Sequence, residues 1–383
     1  MTESDIALTP DTSPPTPRAL AAFFLRLGIF SFGGPAAHIA IMQENLVERR
    51  QWISSHDFLD MLAVCNLIPG PSSTELAIFI GYRLCGLGGL LIAGICFVLP
   101  ASLIVLGFAW AYIRFGHLPA VAGAMQGVKP AVIAIIVQAI WKLAPAAFKT
   151  RKLVLVAVAA LVASVLGVGP VGVYAICGGV ALMLYALPVF RSRLPVIALM
   201  LPTTLSSRAD VGVGPLFAVF LKIGATLFGS GYVLVAMLRS DLVIHRHWLT
   251  EAQVLDAIAI GQVTPGPVFT TATFIGYLLA GIPGAVAATV GIFAPAFVLI
   301  WIVAPFAMRL RRSPLAAAIL DGLNVAALAL MAFAAYSFAV DALVGPVPII
   351  VTMLSLAALL LLRINPTWLL GIGAVIGILE VIR

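Results

Sequence analysis

Apolar residues dominate the chain in long runs, and short polar or glycine- and proline-rich stretches separate these runs. Several runs approach twenty residues, about the length that a helix needs to cross a bilayer. The strand-period alternation that a membrane barrel would need is missing. We therefore predict an all-α, polytopic membrane protein. In the first part of the chain the predicted helices cover residues 20–42, with an interruption at 32–35, and residues 87–113, 119–147, 153–168 and 171–189.

Two of the apolar regions contain a Pro-Gly-Pro break that small hydroxyl residues follow, at residues 66–75 and 262–271. A helix cannot run through such a break, because proline lacks an amide hydrogen and restricts the residue before it. We predict that Pro71 and Pro267 each occupy the first position of a new helix, whose free N–H groups and dipole suit an anion. Membranes tolerate irregular backbone only where protein or a water-filled cavity covers it, so a cavity near the bilayer midplane is implied.

Composition supports the membrane assignment and narrows the partners. Of 383 residues, 62% are hydrophobic and 10% are charged, far from the balance of a soluble domain. The net charge of +7 comes from basic clusters between apolar runs, which is typical of cytoplasmic loops and argues against nucleic-acid binding. The four cysteines and five histidines have no metal-ligand spacing, so we expect neither a metal nor a cofactor. The clusters are Lys149, Arg151 and Lys152; Arg191, Arg193 and Arg208; and Arg309, Arg311 and Arg312.

The second half of the chain repeats the first. Trp52 aligns with Trp248 at an offset of 196 positions (248 − 52), and the two Pro-Gly-Pro breaks align at the same offset. A register held over so many residues indicates an internal repeat. The predicted organisation is a disordered tail at 1–17, an N-terminal membrane repeat at 18–190, a linker at 191–214 and a C-terminal membrane repeat at 215–383.

The basic clusters alternate between the halves. The loop near Arg114 is poor in bases although its counterpart holds three arginines, and the relation reverses one helix later. By the positive-inside rule the halves then have opposite orientations. Inverted repeats are typical of secondary transporters, whose site lies at the repeat interface. If the Pro-Gly-Pro segments re-enter the membrane without crossing it, the two halves have opposite orientations. If these segments cross the membrane, the two halves have the same orientation unless another segment of each half fails to span.

The resemblance of this sequence to a known family rests on Phe32-Gly33-Gly34-Pro35, Pro69-Gly70-Pro71 with Ser73-Thr74, residues 79–86, Gln126-Gly127-Val128-Lys129-Pro130, and their degenerate second-half copies. On these motifs the sequence resembles the chromate ion transporter family in its long form with two homologous halves. The resemblance implies chromate export across the bacterial cytoplasmic membrane, linked to the proton motive force as in an antiporter, with sulfate as a look-alike. It implies a multi-pass inner-membrane protein whose partners are an oxyanion, protons and lipid, and a homodimer is possible.

A tetrahedral dianion needs N–H and hydroxyl donors together with positive charge, where water is scarce. The broken segments offer such donors. The alternative is that their glycines and prolines only permit close packing and kinks. The substrate-binding candidates are Gly33, Gly34, Asn66, Pro69, Gly70, Pro71, Ser72, Ser73 and Thr74 in the first half, and Gly229, Ser230, Gln262, Pro265, Gly266, Pro267, Thr270 and Thr271 in the second.

Ionisable residues within apolar helices are costly and are therefore functional candidates. Arg26 and Lys222 occupy the same repeat position and could attract an anion or extend to the membrane interface. Arg83 and Lys129 are further cationic candidates. Glu75 is the candidate for proton coupling, since burial favours its protonated form; alternatively the helix start or Arg83 stabilises its charge.

Asp60 and Asp256 are repeat equivalents for which we expect a helix-start or interfacial role.

An intramembrane enzyme or a lipid-phosphate carrier is the alternative from a different class, with Glu75 and Ser73 as possible acid-base groups. The sequence lacks a Ser/His/Asp set and a His-Glu-x-x-His motif, so we expect a transporter rather than an enzyme. A purely structural membrane subunit is disfavoured by the inverted repeat.

Overall fold

The computed structural model describes residues 15–189, 211–228, 231–306, 314–362 and 364–382, and over these residues the chain is helical without a strand. The predicted all-α class is confirmed. The helices are α1 (Pro17–Phe30), α2 (Gly34–Met42), α3 (Ser55–Cys65), α4 (Ser72–Phe115), α5 (Pro119–Ala147), α6 (Arg151–Val165), α7 (Pro170–Val189), α8 (Val213–Thr226), α9 (Leu234–Leu238), α10 (Glu251–Val263), α11 (Thr271–Val303), α12 (Pro314–Ala342), α13 (Pro346–Ala357) and α14 (Pro366–Ile382). The π-helical segments are Gln43–Arg49, Arg239–His245 and Ala358–Leu362, and the 3₁₀ segments are Gly231–Val233, Val268–Thr270 and Ala304–Phe306.

Several of these helices have the length and composition of membrane spans. Large apolar side chains such as Leu99, Trp110 and Ile282 are exposed on their outer faces, which suits contact with lipid. The chain is therefore a multi-pass membrane protein. The stretches long and apolar enough to cross a bilayer are Ser72–Phe115, Pro119–Pro145, Val268–Phe306 and Ala318–Ala342.

Helix α4 folds back on itself at Gly86, and α11 does the same at Gly281. These glycines have φ values of +60° and +61°, a left-handed conformation that glycine adopts without strain. The second arm of α4 packs so closely on the first that a side chain at Gly81 would overlap its backbone. Helix α4 therefore consists of two antiparallel arms, 72–84 and 87–115, and the second arm matches the helix predicted at 87–113.

The glycine-rich break after α1 also reverses the chain. The guanidinium group of Arg50 lies 5.7 Å from the ring centroid of Phe23, and in the second half Lys222 forms an ion pair with Asp241. A continuous helix would separate even the closer pair, 19 positions apart (241 − 222), by about 28 Å. Each half therefore begins with a helical hairpin, and the tip of the first one is its glycine break. We call these the first hairpin, residues 17–49, and the second hairpin, residues 213–245.

These hairpins bear on the orientation of the two halves. A hairpin leaves the membrane on the side from which it entered, so it adds no crossing. If the second arm of α4 and helices α5, α6 and α7 each cross once, the first half makes an even number of crossings without its Pro-Gly-Pro segment. Inversion of the halves then requires that this segment also cross, with the first hairpin as the segment that fails to span.

The two halves agree in local detail at the predicted offset. The π-helical segments Gln43–Arg49 and Arg239–His245 occupy equivalent positions. Gln51 and His247 have nearly equal positive φ values of 51° and 53°. An arginine lies over a tryptophan ring in each half, Arg50 over Trp52 at 4.8 Å and Arg246 over Trp248 at 4.9 Å. The sequence repeat is thus a structural repeat.

The C-terminal helices of each half pack against the other half. Helix α5 lies along α13 and α14, and its equivalent α12 lies along α6 and α7. Gly127 faces the backbone at Gly373, and the equivalent Gly322 faces the backbone at Cys177, so neither glycine has room for a side chain. Small residues allow this close approach of membrane helices. The halves are interlocked, not merely adjacent.

Candidate functional site

The four chain breaks meet where the two halves face each other. The N–H of Gly70 in the first Pro-Gly-Pro segment donates to the carbonyl of Leu227 at 2.8 Å, at the tip of the second hairpin. Reciprocally, the N–H of Gly266 donates to the carbonyl of Ser31 at 2.9 Å, at the tip of the first hairpin. The two hydrogen bonds are equivalent under the repeat offset. Each Pro-Gly-Pro segment is therefore held by the hairpin of the other half.

The Pro-Gly-Pro segments interrupt the helices as predicted, but the prediction for the second proline is wrong by one residue. Pro71 is the N-cap of α4, with an extended ψ of 93°, and the helix begins at Ser72. Its carbonyl accepts the N–H groups of Thr74 at 2.7 Å and Glu75 at 2.9 Å, which is the role of a cap. Pro267 caps the short 3₁₀ segment that precedes α11 in the same way.

Unsatisfied polar groups gather at the start of α4. The N–H groups of Ser72 and Ser73 have no backbone acceptor in the described part of the chain. Thr74 and Glu75 are both 0% exposed, and the Thr74 hydroxyl and both Glu75 carboxyl oxygens find no hydrogen-bond partner among the described residues. A side chain at Gly70 would overlap the Glu75 carboxyl group. The helix start thus presents buried donors beside one buried carboxyl group.

The equivalent groups of the second half are satisfied locally. The Thr270 hydroxyl donates to the carbonyl of Pro267 at 2.8 Å, and the Thr271 hydroxyl donates to the carbonyl of Val268 at 2.7 Å. Thr271 stands at the position of Glu75. Since these hydroxyl groups already have acceptors, the two breaks are chemically unequal. The first break is the one with groups left to bind a ligand.

His38 joins the first break to the tip of the first hairpin, and the sequence analysis did not select it. Its ring is fully buried, with Nδ1 3.4 Å from the Ser73 hydroxyl and Nε2 3.4 Å from the carbonyl oxygen of Ser31. The ring also makes an edge contact with Phe97. The equivalent residue is Leu234, so a comparison of the two repeats for polar residues at apolar positions would have found it.

The two repeat-equivalent cations differ in their environments. The Lys222 ammonium group pairs with the buried Asp241 carboxylate, and its side chain is 43% exposed. Arg26 is exposed on α1, and no carboxylate of the described residues lies within ion-pair distance of it. The first hairpin therefore carries an uncompensated positive charge.

A buried ion pair connects the halves at a second place. Lys129 of α5 lies 3.5 Å from an Asp256 oxygen, and the Tyr112 hydroxyl donates to the other oxygen at 2.9 Å. Both charged side chains are nearly buried. The helix-start or interfacial role predicted for Asp256 is therefore wrong. The sequence reasoning missed the pair because its members are 127 positions apart (256 − 129). Asp60 is also buried, 3.5 Å from His56.

The remaining candidates differ in exposure and backbone conformation. Arg83 is exposed next to the turn of α4, whereas Glu75 is buried, and the two do not form an ion pair. Asn66 is exposed and Gln262 is half-buried. Gly33 and Gly34 have the positive φ values of 107° and 75° that a tight hairpin tip requires. Two candidates, Gly229 and Ser230, lie outside the described residues, as do Arg191, Arg193, Arg208, Arg309, Arg311 and Arg312.

Metal-binding geometry is absent from the described residues, where no three His, Cys, Asp or Glu side chains form a potential metal site. Cys65, Cys85, Cys96 and Cys177 are free thiols, each at least partly buried. A cavity of about 50 Å³ borders Ser164, Arg239 and His245, away from the Pro-Gly-Pro breaks. The polar groups at the start of α4 thus remain the strongest candidate site.

Comparisons with known proteins match this architecture. A family model described as "Chromate transporter" matches residues 18–184 and again residues 214–378. The chain is 36% identical to a chromate transport protein of Cupriavidus metallidurans, over 82% of this chain and 80% of that protein. It is 34% identical to a probable chromate transport protein of Synechococcus elongatus, over 81% of each chain. It is also 34% identical to a chromate transport protein of Pseudomonas aeruginosa, over 73% of this chain and 70% of that protein. No solved structure matches the chain.

Proposed function

Because this chain belongs to the chromate transporter family, we propose that it is a secondary active transporter that exports chromate across the cytoplasmic membrane. Export is linked to the proton motive force. Its relatives carry the names of transport proteins, in keeping with a carrier and not an enzyme. The protein lies in the inner membrane of a bacterial cell, where such a gradient is available.

The observation that carries this proposal is the set of unsatisfied groups at the start of α4. Chromate is a tetrahedral dianion, and N–H and hydroxyl donors at a helix start suit it. Within the described part of the chain, Ser72 and Ser73 have N–H groups without a backbone acceptor, and Thr74 has a buried hydroxyl without a partner. Each donor is worth more here than in water, because few water molecules compete inside the membrane. Arg26 supplies positive charge from the adjacent hairpin.

Glu75 is the proposed proton-coupling residue. A carboxylate without a cation or a hydrogen-bond donor is costly within a membrane, and both Glu75 oxygens lack partners in the described part of the chain. Proton binding removes that cost, and proton release restores a negative charge beside the anion donors. A charge at this position repels a dianion at Ser72 to Thr74, so Glu75 must be protonated when the dianion binds. A dianion that travels with one proton still carries a net negative charge, and the inside-negative membrane potential drives it outward.

Alternating access follows from the two-repeat architecture. In inverted-repeat transporters one repeat rocks against the other around a site at their interface. The Pro-Gly-Pro segments and the hairpin tips lie at this interface, held by the hydrogen bonds from Gly70 to Leu227 and from Gly266 to Ser31. The same N–H and hydroxyl groups would also bind sulfate, a dianion of the same shape, so the test includes sulfate as a competitor.

The test measures labelled chromate flux in proteoliposomes with an imposed pH gradient and a controlled membrane potential. We expect flux that follows the pH gradient and falls when sulfate is added on the substrate side. Flux of sulfate with no flux of chromate would reassign the substrate. Chromate flux that ignores the pH gradient at constant potential would remove proton coupling, and no flux of either ion by folded protein would contradict oxyanion transport.

A further inference from the structure

The two hairpins differ at the position that neutralises the cation of the second one. In the second hairpin Lys222 pairs with Asp241. Subtracting the repeat offset of 196 from both numbers gives Arg26 and Asn45 in the first hairpin. A cation is thus kept in both copies, but the carboxylate that balances it is present in only one. The difference in charge at this pair of positions becomes visible only when the two halves are compared.

In both hairpins the returning arm passes the same part of the first helix: Arg50 lies over the ring of Phe23 in the first, and Asp241 pairs with Lys222 in the second. The returning arm of each contains a π-helical segment at equivalent positions, Gln43–Arg49 and Arg239–His245. Asn45 donates to the Ile41 carbonyl at 2.9 Å within its own arm. The adjacent carboxylate, Glu44, is already paired with Arg49 at 2.6 Å. Glu48, the other carboxylate of the first hairpin, is exposed and forms no ion pair with Arg26. No carboxylate of the first hairpin therefore takes the place that Asp241 takes in the second.

Arg26 is well placed to act on an anion at the breaks. It precedes Ser31 by five residues, which is about 7–8 Å along a helix. Ser31 accepts the hydrogen bond of Gly266 and lies beside His38, so it belongs to the meeting point of the breaks. A positive charge at that range, with no carboxylate of the described residues paired to it, attracts a dianion where water is scarce. A carboxylate at position 45 would cancel most of this attraction.

We propose that Asn45 is a specificity-determining position: it leaves the charge of Arg26 unpaired, so that Arg26 attracts the oxyanion to the breaks. In the second hairpin Asp241 neutralises Lys222, which therefore does not attract the anion. The inference rests on the proposed function, since it assigns a charge to the same anion path. In inverted halves the two hairpins enter from opposite faces. The anion is then attracted from the face of the first hairpin, and this pair of positions sets the side of substrate access.

The test uses Asn45→Asp, which adds a charge with almost no change in shape. Chromate transport is measured from each face of oriented proteoliposomes. From one face we expect KM to rise by about tenfold or more, while kcat stays within about twofold. Asn45→Ala, which loses the hydrogen bond to Ile41 but adds no charge, should stay within about twofold of the wild type. Equal effects of the two substitutions would overturn the proposal.

Two further variants separate this inference from the proposed function. Asp241→Asn frees Lys222 and should lower KM from the opposite face; an unchanged KM there overturns the assignment of sidedness. If Arg26→Ala abolishes chromate transport while Asn45→Asp leaves it unchanged, the proposed role of Asn45 is contradicted and the proposed anion site is retained. If the wild-type protein carries no oxyanion, the proposed function fails before either variant is measured.

Discussion

Thr74 and Glu75 are buried side by side at the start of α4 without hydrogen-bond partners among the described residues. A buried polar group left unpaired costs about 1–3 kcal/mol, and a charged one costs more. Stability alone would favour apolar residues here. In the second half the equivalent polar groups do not incur this cost, since the hydroxyl groups of Thr270 and Thr271 donate hydrogen bonds to nearby backbone carbonyls. The first half keeps a destabilising arrangement, which is typical of a binding site.

Glu75→Gln tests the coupling role. Glutamine keeps the size and removes the titration, so we expect flux to lose its response to the pH gradient while the Kd for chromate changes within about threefold. Gradient-driven flux and chromate binding by the purified protein are the measurements. Thr271→Val, at the equivalent position, is the control and should leave both unchanged. A Glu75→Gln protein with the normal pH response would remove Glu75 from coupling.

The buried pair of Lys129 and Asp256 predicts a stability effect that does not depend on transport. Lys129→Met leaves a buried carboxylate with only Tyr112 beside it, a loss expected to cost about 3–5 kcal/mol. Lys129→Met combined with Asp256→Leu removes both charges and should recover most of this loss. Unfolding in detergent measures both variants. A double variant as unstable as the single one would show that packing, and not the unpaired charge, causes the loss.

The helical elements were predictable where the signal is local. Proline and glycine act on the residues beside them, so the breaks and the bounds of α5 follow from the sequence. The reversals at Gly86 and at the tip of the first hairpin do not, because hydropathy does not distinguish a folded helix pair from one kinked span. His38 and the ion pair of Lys129 with Asp256 were missed because long-range packing brings their partners together.

Pro71→Ala tests whether the helix break before α4 is needed for transport. Alanine restores an amide hydrogen and allows the helix to extend backwards, which would bury the donors of Ser72 and Ser73 in helical hydrogen bonds. We expect chromate transport to fall by about tenfold or more, with the amount of protein in the membrane within about twofold of the wild type. Pro119→Ala, at the exposed start of α5, is the control. Equal losses of transport and abundance would instead indicate a folding defect.

Each half of the molecule packs its C-terminal helices against a helix of the other half, and these contacts hold the molecule together. Helix α5 packs on α13 and α14, and α12 packs on α6 and α7, so each half lacks part of its core when alone. Breaking the chain within the predicted linker at 191–214 tests this dependence. We expect neither half to accumulate alone, and the two to copurify and transport chromate when produced together. A half that is stable and monomeric by itself would contradict the interlocked arrangement.

The same contacts have the form of a subunit interface. Two identical half-length chains related by a two-fold axis would make these contacts between subunits, and a linker from one to the other would enclose them in one polypeptide. The protein is thus built like a homodimer fused end to end. Fusion frees the two copies from having the same sequence. A histidine can then stand opposite a leucine, at His38 and Leu234, and an amide opposite a carboxylate, at Asn45 and Asp241. A true homodimer cannot divide such roles between its subunits.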